Sequence, residues 1–134
     1  MGFLLHRALS RLRDEVTEAI RGTGLVPGYL AVLGALSDCG GMSQKRLGEL
    51  TQIEKSSMVL FIDALEATGW VRRTRDPRDR RAHIVQLTPA GAQRFAKLAP
   101  RLSIAQKRFL EPLSSAEISA LQQSLTRLGS PIDT

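Results

Sequence analysis

Up to Gly69 the apolar residues of this chain recur every three or four positions, and directly after it they recur every second one. That switch separates a helical half from a short β segment and constrains the fold more than any other feature. Ahead of it, Leu5, Leu9, Leu12, Val16 and Ile20 form one apolar stripe, which predicts an amphipathic helix over residues 3–21. Gly22 and Gly24 end that helix, and Pro27 opens a second one that runs to about Ser37 with Leu30, Leu33 and Leu36 inward. "DCGGM" reads as a break. Ser43 then caps a short helix, "SQKRLGEL", and "TQI" is a tight turn. "EKSSMVLFIDALEATG" is a longer helix that closes on Gly69. Met58, Phe61, Ile62 and Leu65 face inward on it, which leaves Ser56, Leu60 and Asp63 on the outer face and Ser57 and Val59 at its edges. Two closely joined helices, the second exposing its N-terminal end, are a helix-turn-helix.

After Gly69, residues 70–74 and 83–87 read as strands joined by a long charged tip, in "WVRRTRDPRDRRAHIVQLTPAG". Thr88 caps the next helix and Pro89 is its first residue; it extends to about Leu110 with a kink expected at Pro100. Ser114 and Glu117 form a capping box ahead of a last helix carrying Leu121, Leu125 and Leu128. The predicted fold is mainly α with a small β-hairpin wing. Residues 25–88 make the winged helix-turn-helix, and residues 1–24 and 89–134 supply helices that flank it.

Between Arg72 and Arg81 lie six arginines and two aspartates, on a chain whose formal net charge is already +6. Such a balance favours polyanions. A recognition helix fits a DNA major groove, and an arginine-bearing hairpin beside it reaches the adjacent minor groove, whose negative potential attracts guanidinium. Guanidinium also forks onto phosphate in a way that ammonium does not. Asp79 is expected to hold Arg81 in one rotamer. An enzyme is a poor reading, since the chain offers no Ser-His-Asp set, paired carboxylates, phosphate-binding glycine loop or metal cluster. Cys39 is the only cysteine and reads as buried or inert, while His6 and His83 read as surface or packing residues. The N-terminal apolar patch is too short for a signal peptide or a membrane span, so a soluble, cytoplasmic protein with no membrane partner is expected.

"DPRDRRAHIVQLTPAG" resembles the wing signature of the MarR (multiple antibiotic resistance regulator) family, with its Asp-x-Arg pair on Asp79 and Arg81, its strand end on Leu87-Thr88 and its glycine on Gly91. "LGELTQIEKSSM" is similar to that family's helix–turn–recognition-helix segment, and the likeness covers nearly the whole chain. The resemblance implies a homodimeric transcriptional regulator, usually a repressor. Its terminal helices interlock, and two recognition helices read a palindromic operator with half-sites roughly 10 bp apart. On that reading Arg81 enters the minor groove with Asp79 as its support. Arg72, Arg73, Arg75, Arg78 and Arg80 contact phosphate, though some can pair with acids of the protein instead. Ser43 and Gln44 hold phosphate at a helix start. Ser56, Ser57, Val59 and Leu60 are expected to lie at the bases, with Lys55 as the one cation near the start of that helix. The resemblance also implies a small aromatic or anionic inducer, with no further cofactor and no metal. Gln52 stands where the family commonly has glycine, and Val59 and Leu60 stand where polar or cationic groups are frequent. That apolar pair keeps a competing reading in view: a helical dimer whose winged domain binds another protein and not DNA.

Overall fold

The computed structural model describes residues 1–130. Its helices and hairpin follow the predicted order, with one strand added: α1 (Gly2–Ala19), α2 (Pro27–Cys39), β1 (Met42–Ser43), α3 (Gln44–Thr51), α4 (Lys55–Ala67), β2 (Val71–Asp76), β3 (Asp79–Leu87), α5 (Pro89–Leu110) and α6 (Ser115–Gly129). Three of the starts are fixed by the side chains that the sequence singles out. Ser43 Oγ accepts from the Arg46 amide, Thr88 Oγ1 from the Gly91 amide, and Ser114 Oγ from the Glu117 amide, with the Glu117 carboxylate closing the capping box. Gly69 ends α4 with φ of 81°, a conformation that suits glycine because it has no Cβ. Gln52 takes the left-handed turn between α3 and α4 at φ 57°, and its side-chain amide donates to the Glu49 carbonyl at 2.8 Å.

The core sits where α2, α3, α4 and the sheet meet. Val32, Leu33, Leu47, Met58, Ile62, Leu65, Val71 and Val85 are its fully buried side chains, each contributing about 1.5–3 kcal/mol of apolar burial. Phe61 is half-buried, edge-on to Tyr29 with ring centroids 5.2 Å apart. Trp70 is buried, with the Arg94 guanidinium 3.9 Å above its ring. Pro100 lies inside α5, which continues past it to Leu110. No helix of the described residues is long and apolar enough to cross a membrane.

The structure departs from expectation in three places. "DCGGM" is not only a break, because Met42 and Ser43 form a strand paired antiparallel with Val85 and Ile84. The sheet therefore has three strands in the order β1-β3-β2. The hairpin has no long tip: β2 reaches Asp76 and β3 begins at Asp79, with an irregularity between Arg75 and Asp76. Alternating backbone pairing continues through the charged stretch because arginine side chains can stand out to solvent on both faces of a two-stranded ribbon. Finally, α2 extends to Cys39, and Cys39, read as buried or inert, is not buried but exposed.

The α1 stripe forms but is not covered within one chain. Leu5 and Leu9 are exposed, Leu12 and Val16 half-buried, and only Ile20, at the helix end, is buried. Phe3, Leu4, Leu125 and Leu128 add to the exposed apolar surface on α1 and α6.

Candidate nucleic-acid interface

The outer face of α4 carries Ser56, Leu60 and Asp63, all exposed, with Ser57 half-buried at its edge. Leu60 is 68% exposed and Val59 38%. The Ser56 hydroxyl donates to the Glu54 carboxylate at 3.0 Å, so its proton is used while its lone pairs stay free. At the first turn of α4, Lys55 points away from this face. With Gln44, Lys45, Gly48, Ile53 and Met58 it lines a hollow of about 350 Å³ between α3 and α4. The structure thus brings Gln44 and Lys55 together and adds Lys45, which sequence reasoning missed; the signal was a cation one position after Gln44 at a helix start. Arg46 on the next position is paired with Glu49 at 3.3 Å.

The wing arginines divide into two groups. Arg73 donates from Nη2 to Asp63 at 2.6 Å and from Nη1 to Glu66 at 3.0 Å, while its backbone amide donates to the second Glu66 oxygen at 2.9 Å. Arg73 is therefore a clamp between β2 and the outer face of α4, and it leaves the set of phosphate-contact candidates. The physical reason is that Asp63 and Glu66, one helical turn apart, present two carboxylates where β2 passes. Arg72 stands opposite Gln86 in the ladder. The Gln86 amide, oriented by this network, accepts from Arg72 Nε at 2.7 Å and Nη2 at 2.8 Å. Arg75, Arg78, Arg80 and Arg81 are exposed and carry no side-chain ion pair among the described residues.

The two aspartates act on the backbone. Asp76 Oδ1 accepts from the Arg78 amide at 2.9 Å, and Asp79 Oδ1 accepts from the Arg81 amide at 3.0 Å. Each is the local bond that aspartate makes two residues onward in turns. Asp79 does not grip the Arg81 guanidinium, as expected from sequence; it fixes the main chain from which that side chain departs. The clamp by Arg73 also fixes where the wing begins, since Asp63 lies on the same α4 face as Ser56 and Leu60. Four guanidinium groups without an acidic partner among the described residues, two lysines and a helix face consequently lie on one continuous set of elements.

Gly91 explains its place in the wing signature. A Cβ there would lie 2.0 Å from the Trp70 carbonyl oxygen, so α5 starts against the strand only because this residue has no side chain.

Comparison with known proteins gives these features a family. The MarR family model matches residues 27–83, from the start of α2 into β3. The candidate transcriptional regulatory protein for the hcr operon of Thauera aromatica is 30% identical over 129 residues, covering 96% of this chain and 78% of its own length. Among solved structures, BpsR of Bordetella bronchiseptica, whose structure describes regulation of its DNA binding by 6-hydroxynicotinic acid, superposes with a TM-score of 0.89 at 28% identity, covering 96% of this chain and 98% of that one. A mutant of MarR from E. coli, solved with operator DNA, shares the fold at a TM-score of 0.89 and 19% identity, over 96% of this chain and 93% of that one. The relatives are transcriptional regulators and not enzymes. A helix-turn-helix, a wing formed by β2 and β3 and kinship across nearly the whole chain together make this protein a member of the MarR family of winged-helix transcriptional regulators.

Proposed function

We propose that two copies of this chain bind duplex DNA about a twofold axis and repress a palindromic operator. The observation that carries the reading is the unneutralised cation set of Arg75, Arg78, Arg80 and Arg81, anchored by Arg73 beside the exposed face of α4. α4 enters the major groove with Ser56, Ser57, Val59 and Leu60 at the bases. Arg81 enters the adjacent minor groove, and Asp79 holds its main chain. Arg75, Arg78 and Arg80 contact phosphate, joined by Lys45 and Lys55 and by Ser43 and Gln44 at the start of α3.

A second copy covers the apolar surface that α1 and α6 leave open, which includes Phe3, Leu5, Leu9 and Leu128. Twofold symmetry then requires an inverted repeat in the DNA. A small aromatic or anionic effector, supported by the regulation of BpsR by 6-hydroxynicotinic acid, shifts the spacing of the two recognition helices and releases the DNA.

The test is titration of the purified protein against random-sequence and promoter-derived duplexes at several salt concentrations, with sedimentation to give the number of copies bound. Binding through phosphate contacts gives a log–log salt slope of about −0.9 per phosphate neutralised. Absence of binding in dilute salt overturns the reading and favours the competing one, in which the apolar Val59-Leu60 pair receives another protein.

A further inference from the structure

We infer that α4 reads thymine through its 5-methyl group, with Leu60 as the specificity-determining residue and Val59 beside it. This rests on the DNA-binding reading above and sharpens it to a ligand chemistry.

Elimination along a single helix face leads to Leu60. Between Lys55 and Thr68 the sequence has no arginine, lysine, asparagine or glutamine, so no side chain there can make the paired bonds that recognise guanine or adenine. Asp63 and Glu66 are held by Arg73, the Ser56 proton is held by Glu54, and Ser57 is half-buried at the edge of the face, where a single hydroxyl makes a one-point contact that does not select one base. At 3.6 residues per turn, Lys55 lies about 140° around the helix from Leu60, toward α3. What remains at the centre of the face is Leu60, the most exposed large apolar side chain of α4, with Val59 next to it.

In the major groove the base pairs present donors, acceptors and one apolar group, the thymine methyl. Of these groups the methyl is the one against which an exposed leucine gains most from burial. The wing arginines that carry no ion pair among the described residues, and the lysines beside α3, favour DNA as the occupant, because they complement a phosphate backbone while carrying no sequence information themselves.

Duplexes are first selected from a random-sequence library with the purified protein, which supplies a bound site directly. Each thymine of the selected duplex is then replaced singly by uracil, which removes the methyl and leaves every hydrogen-bonding group in place. The expected result is a loss of about fourfold in affinity at one thymine of each half-site, the weight of one buried methyl-sized group. Replacing both should cost about sixteenfold. In Leu60→Ala the difference between the thymine and uracil duplexes should shrink markedly, with Val59 keeping a small part of it and the thermal melt of the variant unchanged because the Leu60 side chain is exposed. If no single uracil alters affinity, or if the preference survives intact in Leu60→Ala, the inference is overturned while DNA binding stands. If no duplex is enriched and none binds in dilute salt, the DNA-binding reading itself falls, and this inference with it.

Discussion

Replacing Gly91 with alanine puts a methyl group into main-chain atoms. Its Cβ would lie 2.0 Å from the Trp70 oxygen, 2.8 Å from the Trp70 carbonyl carbon and 3.0 Å from Thr88 Oγ1. Ordinary contact begins near 3.4 Å, so the start of α5 or the backbone entering β2 must move by about 1.4 Å. Three bonds lie across that displacement: the Thr88 amide to the Trp70 oxygen at 3.1 Å, the Thr88 hydroxyl to the Gly69 oxygen at 2.6 Å, and the Gly91 amide to Thr88 Oγ1 at 2.9 Å. Loss of the cap costs about 1 kcal/mol, a weakened bond about 1 kcal/mol, and overpacking about 1–3 kcal/mol. Alanine returns about 1 kcal/mol through its higher helix propensity. The net is a destabilisation of about 2–4 kcal/mol, or a melting point lower by about 10 °C for a chain of this size. Thermal melts of Gly91→Ala and wild type at equal protein concentration measure it, since the melting point of a chain that self-associates depends on concentration. Gly34 in α2 serves as the contrast, because a Cβ there meets nothing within 4 Å; Gly34→Ala should stabilise by about 0.5–1 kcal/mol. A melting point for Gly91→Ala within about 2 °C of wild type would refute the close approach as the reason for glycine here.

Three further outcomes follow from the site and the caps. Arg81→Ala should weaken DNA binding by about 1–3 kcal/mol, read by titration, with no change in the melting curve because the side chain is exposed. Arg73→Ala should instead weaken DNA binding with an unchanged salt slope. It frees the Asp63 and Glu66 carboxylates toward the duplex without removing a phosphate contact, and the salt series of the titration separates the two variants. Ser114→Ala removes the capping box of α6 and should cost about 1 kcal/mol of stability, measured by urea denaturation.

Much of the fold is legible because its signals are local. Ser43, Thr88 and Ser114 announce their helices within three residues, and the change of period at Gly69 marks the sheet. What the sequence hides is set by residues distant along the chain. Met42-Ser43 is too short to show an alternation, and becomes a strand only because β3 offers it an edge. Arg73 looks like its neighbours until Asp63 and Glu66 come to lie beneath it, ten and seven positions away. Asp79 sits close to Arg81 in sequence, yet the turn aims its carboxylate at an amide and not at the guanidinium. Lys45 gains meaning only when the α3–α4 turn brings it around the same hollow as Lys55.

Ser43 both pairs with Ile84 in the sheet and caps α3, so the wing's inner strand and the first helix of the reading head are tied through one residue. Backbone pairing on one side of Ser43 and its side-chain cap on the other join the sheet to α3 by a route separate from the hydrophobic core. Chain length around that tie is correspondingly constrained. An extra residue at the Pro77-Arg78 turn would only lengthen an exposed tip, whereas one inserted between Met42 and Ser43, with Ser43 held on Ile84, would reverse the pleat and turn buried Met42 out to water.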